Sequence, residues 1–342
     1  MKSVARLLDD ELLRRVVRNS AHLLSSNTAG LALSVLQGIL AARMLGATGY
    51  GLVAIVMSYT STINGLLSFR MSELVVRYGG EALERSEKQR AAAILKLSSL
   101  AEAAVSVVAF CVVAATAGAA SRTVTKTPGT EWMFAVYAAG LLFSFNAETA
   151  TGVLQITNSI RVRGTINFIQ ALCSASIIGG AYIWLRGSSV PATTLLMVVL
   201  GAYLAGKAIL GTGLFIAAWR AANRTLGAGW RSAQLSGLPP LRELLGFGVS
   251  SNLSATAILA FRESEVLWVG VLLNSEAAGL YKVAYTIVSL LAIPADPLIL
   301  SVYPEANKLV VQQAWGRLKR FLKAVTGLSF MSSGVAKSSR TF

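Results

Sequence analysis

The stretch LSSLAEAAVSVVAFCVVAATAGAA, residues 97–120, runs 24 residues with one charge, Glu102. A helix needs about 20 predominantly apolar residues to cross the hydrocarbon core of a bilayer. Seven further runs meet that requirement: Ala21–Ala42, Tyr50–Phe69, Trp132–Ile156, Ile166–Leu185, Ala192–Trp219, Leu245–Leu273 and Ala278–Val302. A weaker run, Phe321–Met331, starts and then breaks into serines and basic residues. The expected fold is all-α and polytopic, with about eight to nine transmembrane helices. Tyr50, Trp132, Trp184 and Trp219 stand at run ends, where amphipathic rings anchor a helix at the membrane–water interface.

Composition agrees. Of 342 residues only 14% are charged, and mean hydropathy is +0.60. An average soluble domain is about 25% charged, so too little polar surface is available to cover a water-soluble fold of this size. Cys111 and Cys173 lie inside apolar runs without metal-ligating neighbours and read as small packing residues. His22 has no companions that could complete a metal site. No cofactor or metal is expected.

The net charge of +15 does not point to nucleic acid, because the basic residues lie in short clusters between apolar runs. The N-terminus, the second-to-third, fourth-to-fifth and sixth-to-seventh loops and the segment after the eighth span together hold 22 Lys and Arg. The opposite loops hold Arg43, Arg122, Lys126 and Arg186. The positive-inside rule makes the richer side cytoplasmic and the N-terminus inside. The run Ala21–Ala42 is too long for a signal peptide's apolar region, so it is expected to stay as the first span. Arg262-Glu-Ser-Glu265 interrupts the seventh span; splitting it there would put the Lys308–Lys323 cluster outside, so it is kept as one helix.

Residues 42–59 have a counterpart in residues 271–287. With Gly51 set on Gly279, an offset of 228, Leu45 matches Leu273, Leu52 matches Leu280 and Ser58 faces Thr286; Ala54 facing Lys282 is a mismatch. A repeat that restarts after six spans gives two halves of the same orientation, related by an axis along the membrane normal. The expected organisation is a first six-helix half, 1–220, a cytoplasmic linker, 221–244, and an incomplete second half, 245–342.

The segment Ala42-Arg-Met-Leu-Gly-Ala-Thr-Gly-Tyr-Gly51 resembles the first-loop signature of the polysaccharide flippases of the multidrug/oligosaccharidyl-lipid/polysaccharide exporter superfamily. Arg262-Glu-Ser-Glu-Val-Leu-Trp-Val-Gly270, Ala278-Gly-Leu-Tyr281 and Tyr303-Pro-Glu305 look like the start of that family's second half. The resemblance covers roughly Ala21 to Leu309. It implies a flippase in the bacterial inner membrane. The implied substrate is an undecaprenyl-pyrophosphate-linked sugar repeat unit, moved from the cytoplasmic to the outer leaflet. Partners would be that lipid-linked oligosaccharide, membrane lipids and the polysaccharide polymerase machinery. The family has twelve to fourteen spans, so a chain of eight is expected to be truncated or shifted in frame after about Leu328.

Charges at membrane depth are costly and tend to face a cavity or a partner. In or near the spans stand Arg70, Glu102, Glu148, Lys207, Arg262, Glu263, Glu265, Lys282 and Asp296. A pyrophosphate wants Arg and Lys as multivalent donors, which makes Arg70, Lys207, Arg262 and Lys282 the candidate substrate ligands. Glu148, beside Asn146, and Glu265 are the candidate ion-coupling carboxylates. The segment Gly201-Ala-Tyr-Leu-Ala-Gly-Lys207-Ala208 lacks the final Ser or Thr of a P-loop and sits inside an apolar helix. Two other readings compete. A drug/cation antiporter of the same superfamily should have an acidic, aromatic cavity rather than Arg262 and Lys207. A membrane polysaccharide polymerase or glycosyltransferase should carry a large extramembrane domain, whereas the longest loops here, Arg70–Lys96 and Arg220–Leu244, are short and hold no catalytic motif. A non-enzymatic transporter is the expected class.

Overall fold

The computed structural model describes residues 11–235, apart from 158, 160, 186–189 and 228, and residues 264–292. It also describes 238, 240, 242–243, 246, 313, 315–319 and 321–322. Every regular element among these is helical: α1 (Glu11–Leu67), α2 (Met71–Leu74), a π-helical turn (Val75–Gly79), α3 (Gly80–Glu84), α4 (Lys88–Thr123), α5 (Glu131–Phe143), α6 (Ala147–Ile156), α7 (Arg161–Leu185), α8 (Ala192–Leu226), a 3-10 turn (Trp230–Ser232), α9 (Glu265–Leu272) and α10 (Ser275–Ala292). The protein is all-α and polytopic. The chain divides into two units, 36–283 and a smaller one made of 1–35 with 284–342. The described site lies wholly within the first.

The first two apolar runs join in α1, which turns at Gly46 (φ 68°, ψ 176°). That backbone lies outside the helical range and at a φ that side chains disfavour, so the glycine marks the boundary between two spans. α4, α7 and α8 each carry one of the expected spans and are long and apolar enough to cross a membrane. On their outer faces large apolar side chains stand exposed, Trp184 at 84% and Ile183 at 77%. Soluble folds do not present such surface at this density; here it faces lipid. The interior is built around Val53, Ile55, Val56, Phe134, Met133 and Leu200, all essentially inaccessible. The Tyr59 and Phe134 rings meet edge to face at 5.3 Å.

The fourth apolar run, expected as one helix over Trp132–Ile156, is broken. α5 ends at Phe143 and α6 starts at Ala147, with Ser144 and Asn146 off helical geometry. At 13 and 10 residues neither piece could cross alone. Hydropathy averages over this break because its flanks are apolar. Two tertiary features hold it. A side chain at Gly211 on α8 would collide with the Phe143 carbonyl, so glycine there admits the broken backbone. Glu102 of α4 accepts the N–H groups of Glu148 and Thr149, both at 2.8 Å, and caps α6 from a neighbouring helix.

The loops separate as alternate ends of a bundle. At one end Lys96 Nζ donates to the Ala233 carbonyl (3.2 Å), and Tyr78 donates to Glu243 (3.0 Å). At the other, Lys126 Nζ donates to the Leu273 carbonyl (3.1 Å). The 36 residues of α4, roughly 54 Å at ~1.5 Å per residue, run from the first end to the second.

Candidate functional site

The backbone between α1 and α3 is irregular twice within ten residues. Arg70 adopts a left-handed conformation (φ 51°, ψ 52°), which costs a non-glycine residue about 1–2 kcal/mol. Five residues on, the helix widens into the π-turn Val75–Gly79. Left-handed side-chain-bearing residues and π-turns both concentrate at functional sites, because neither persists without a compensating arrangement around it. Here the effect is to aim Arg70, Glu73 and Arg77 into one cleft. α6 packs hard against this segment: a Cβ on Gly152 would stand 2.8 Å from Val75 Cβ and 2.9 Å from the Ser72 carbonyl.

The cleft has a volume of about 670 Å³. Its far walls come from single helical stripes: Ala147, Thr151 and Gln155 with Glu148 on α6, Arg163 and Asn167 on α7, Leu210 and Leu214 on α8. Three arginines and two glutamates thus face one space, a formal excess of one positive charge. Arg70 Nη2 holds Glu73 Oε1 at 2.5 Å, with both side chains about two-fifths exposed. Glu148 Oε1 accepts from Ser68 Oγ (2.9 Å), and Ser68 Oγ lies 3.3 Å from the Arg70 backbone N–H. The second Glu148 oxygen, Oε2, is buried and has no hydrogen-bond partner among the described residues. Arg163 and Arg77 are exposed to the cleft's solvent. Guanidinium forks, amides (Gln155, Asn167) and hydroxyls (Ser72, Thr151) are a donor set for phosphate and sugar oxygens.

The expected site residues separate. Arg70 and Glu148 come together on the cleft, linked through Ser68. Lys207 does not line it. It sits on α8 three and seven residues before Leu210 and Leu214, hence on the same face and about 10 Å further along the helix than Leu214. Its Nζ lies 4.3 Å from the centroid of the Tyr137 ring, and its stem fills the space beside Gly140. Among the described residues its charge rests on that ring rather than on a carboxylate, an interaction of about 0.5–2 kcal/mol. Glu265 accepts the Tyr281 hydroxyl and so ties α9 to α10. Lys282, half-buried on α10, is also away from the cleft. Arg262 and Glu263 fall outside the described residues, as does the continuity of the seventh span through them.

Sequence reading missed Arg77 and Arg163 as site residues, since both lie in loops between runs, where they count as orientation charges. It also gave little weight to Glu102, whose role depends on the break in the fourth run. The π-turn that swings Arg77 into line leaves no mark in hydropathy.

A family model described as "Polysaccharide biosynthesis protein" matches residues 16–309. The chain belongs to the polysaccharide biosynthesis protein family. A curated relative, Inner membrane protein YghQ of Escherichia coli (strain K12), is 24% identical over 323 residues, 88% of this chain and 82% of that one. Among solved structures, an outward-facing multidrug resistance MATE family transporter of the MOP superfamily superposes with a TM-score of 0.61 at 16% identity, over 96% of this chain and 71% of the other. The inward-facing form of such a transporter gives 0.59 at 15%, over 91% and 68%. A MOP superfamily transporter from Pyrococcus furiosus Vc1 (DSM3638), described as having a binding pocket of reversed polarity, gives 0.60 at 13%, over 96% and 71%. This member of the family therefore carries the fold of the MOP transporters, and it is a membrane protein.

Proposed function

We propose that this chain carries a phosphate-bearing, lipid-linked oligosaccharide across the membrane, with its polar headgroup entering the arginine cleft while the lipid tail stays in the bilayer. The observation that carries this reading is the convergence of Arg70, Arg77 and Arg163 on a single space that also offers amide and hydroxyl donors. Family membership in polysaccharide biosynthesis narrows the cargo, and the resemblance to flippases suggests undecaprenyl pyrophosphate as its carrier. Guanidinium groups bind phosphate oxygens in pairs, and the carboxylates of Glu73 and Glu148 offset their charge while the cleft is empty. Glu148 is the proposed ion-coupling group of the cleft, and Glu265 a second one. Lys207 lies deeper along α8 and would meet the headgroup after it leaves the cleft. Lys282 and Arg262 are proposed to meet it from the second part of the chain. Basic-residue asymmetry supports a cytoplasmic cleft end and a cytoplasmic N-terminus, and the resemblance to flippases supports the inner membrane of a bacterium. The polysaccharide polymerase machinery would take the cargo on the far side.

Complementation in a host lacking its own copy tests the reading. Arg70→Ala, Arg77→Ala and Arg163→Ala, singly and together, should lower surface polysaccharide while membrane protein level stays unchanged, with the triple variant at background. Arg→Lys at the same positions should retain part of the activity, since charge survives and the fork does not. Normal surface polysaccharide from a well-expressed triple Ala variant would remove the cleft from the pathway.

A further inference from the structure

The two glycines that align at an offset of 228 touch one another. A Cβ built on Gly51 would stand 2.9 Å from the Gly279 nitrogen, and one built on Gly279 would stand 3.0 Å from the Gly51 nitrogen. The clashes around them are reciprocal. The Gly51 Cβ would collide with the Ser275 carbonyl, and the Gly279 Cβ with the Ala47 carbonyl. At the same offset Ala47 is the counterpart of Ser275. A contact in which i meets j′ while j meets i′ is the signature of a two-fold axis running through the interface. The breaks before the two helices fall at equivalent positions too. Gly46 turns the chain before Ala47, and Asn274 precedes Ser275, with its side chain capping α10 at the Ala277 N–H (2.8 Å).

Two further bonds fasten this crossing to the loop between α4 and α5. Ser275 Oγ, buried, donates to the Thr125 carbonyl at 2.9 Å, and Lys126 Nζ donates to the Leu273 carbonyl at 3.1 Å. Gly270 closes the seam from α9, since a Cβ there would press on Ile55 (2.8 Å) and the Val124 carbonyl (3.3 Å). All of this lies at the C-terminal end of α4, whereas the arginine cleft lies near its start, where Gly79 of the π-turn faces Leu95. Among the described residues, the cleft lies at one end of α4 and a backbone-to-backbone crossing of two helices at the other.

We propose that the Gly51–Gly279 crossing, held by Ser275 and Lys126, is a latch on a pseudo-two-fold axis that keeps the end opposite the arginine cleft shut and must part for cargo to leave. The latch is made of contacts that break without stranding a buried charge. Lys126 is at the surface, and glycine-to-glycine packing has no side chains to disentangle. This inference rests on the transport reading for its purpose but not for its test.

The first measurement uses purified protein without substrate. In a background with Cys111 and Cys173 replaced by Ser and Asn167→Cys placed in the cleft, maleimide labelling at position 167 reports how open the cleft is. Adding Lys126→Ala and Ser275→Ala should slow that labelling several-fold, because releasing the latch shifts the population toward a form with the cleft closed. An unchanged rate in monodisperse protein overturns the latch, whatever the cargo. The second uses Thr125→Cys with Ser275→Cys in membranes. Oxidation should cross-link the pair, abolish surface polysaccharide and be reversed by reductant. Absence of a cross-link, or full export by cross-linked protein, overturns the proposal. Lack of export before oxidation bears instead on the transport reading.

Discussion

Glu102 and Thr149, 47 residues apart in the chain, meet in the core of the bundle, where the Glu102 carboxylate accepts the Thr149 N–H at 2.8 Å. With its other oxygen on the Glu148 N–H, Glu102 satisfies two of the four amide groups that the start of α6 would otherwise leave bare. The residue is only 8% exposed. Glu102→Ala should therefore strand two buried donors and cost about 2–6 kcal/mol at ~1–3 kcal/mol for each unsatisfied group. Glu102→Gln keeps one acceptor oxygen and should fall between. Apparent melting temperature in detergent, read by tryptophan fluorescence, orders the three proteins; equal values for Ala and wild type would show that the cap contributes nothing.

The break itself can be attacked from the facing helix. Gly211→Ala places a methyl group against the Phe143 carbonyl, where the nearest atoms are backbone and cannot rotate away. Overpacking of this kind costs about 1–3 kcal/mol, so a lower yield of monodisperse protein is expected. Gly201→Ala, on the same helix with open space around it, is the matched control and should leave yield unchanged.

Lys207 separates charge from packing. Lys207→Met keeps an unbranched apolar stem against Gly140 and Tyr137 but removes the cation. Expected is a melting temperature within a few degrees of wild type together with reduced surface polysaccharide. Full export by the Met variant would make Lys207 a packing residue, its stem buried and its charge idle.

Orientation follows from labelling in intact cells with a membrane-impermeant thiol reagent. In a protein lacking Cys111 and Cys173, a Cys at Arg85 or Arg231 should stay unlabelled until the cells are permeabilised, and one at Thr127 should label at once. The reverse pattern would invert the topology and put the arginine cleft on the outer side.

Linear sequence determined that this is a bundle of membrane-crossing helices. Runs such as 97–120 have no solvent in which they could be stable other than lipid, and that follows from composition and length alone. It separated the run ending at Ala42 from the one starting at Tyr50, and it named Arg70 and Glu148 among nine charges in or near the spans. What only the tertiary structure decided is where those charges meet and which apolar run is not one helix. The split of Trp132–Ile156 depends on a carboxylate from α4 and a missing side chain on α8, neither of which is local to the run. Arg77 and Arg163 join Arg70 because a π-turn and the packing of three other helices rotate them into one cleft. Hydropathy records the free energy of moving each segment from water into lipid, a sum over its own residues. A site is a property of pairs of residues on different segments, and such pairs exist only once the helices have packed.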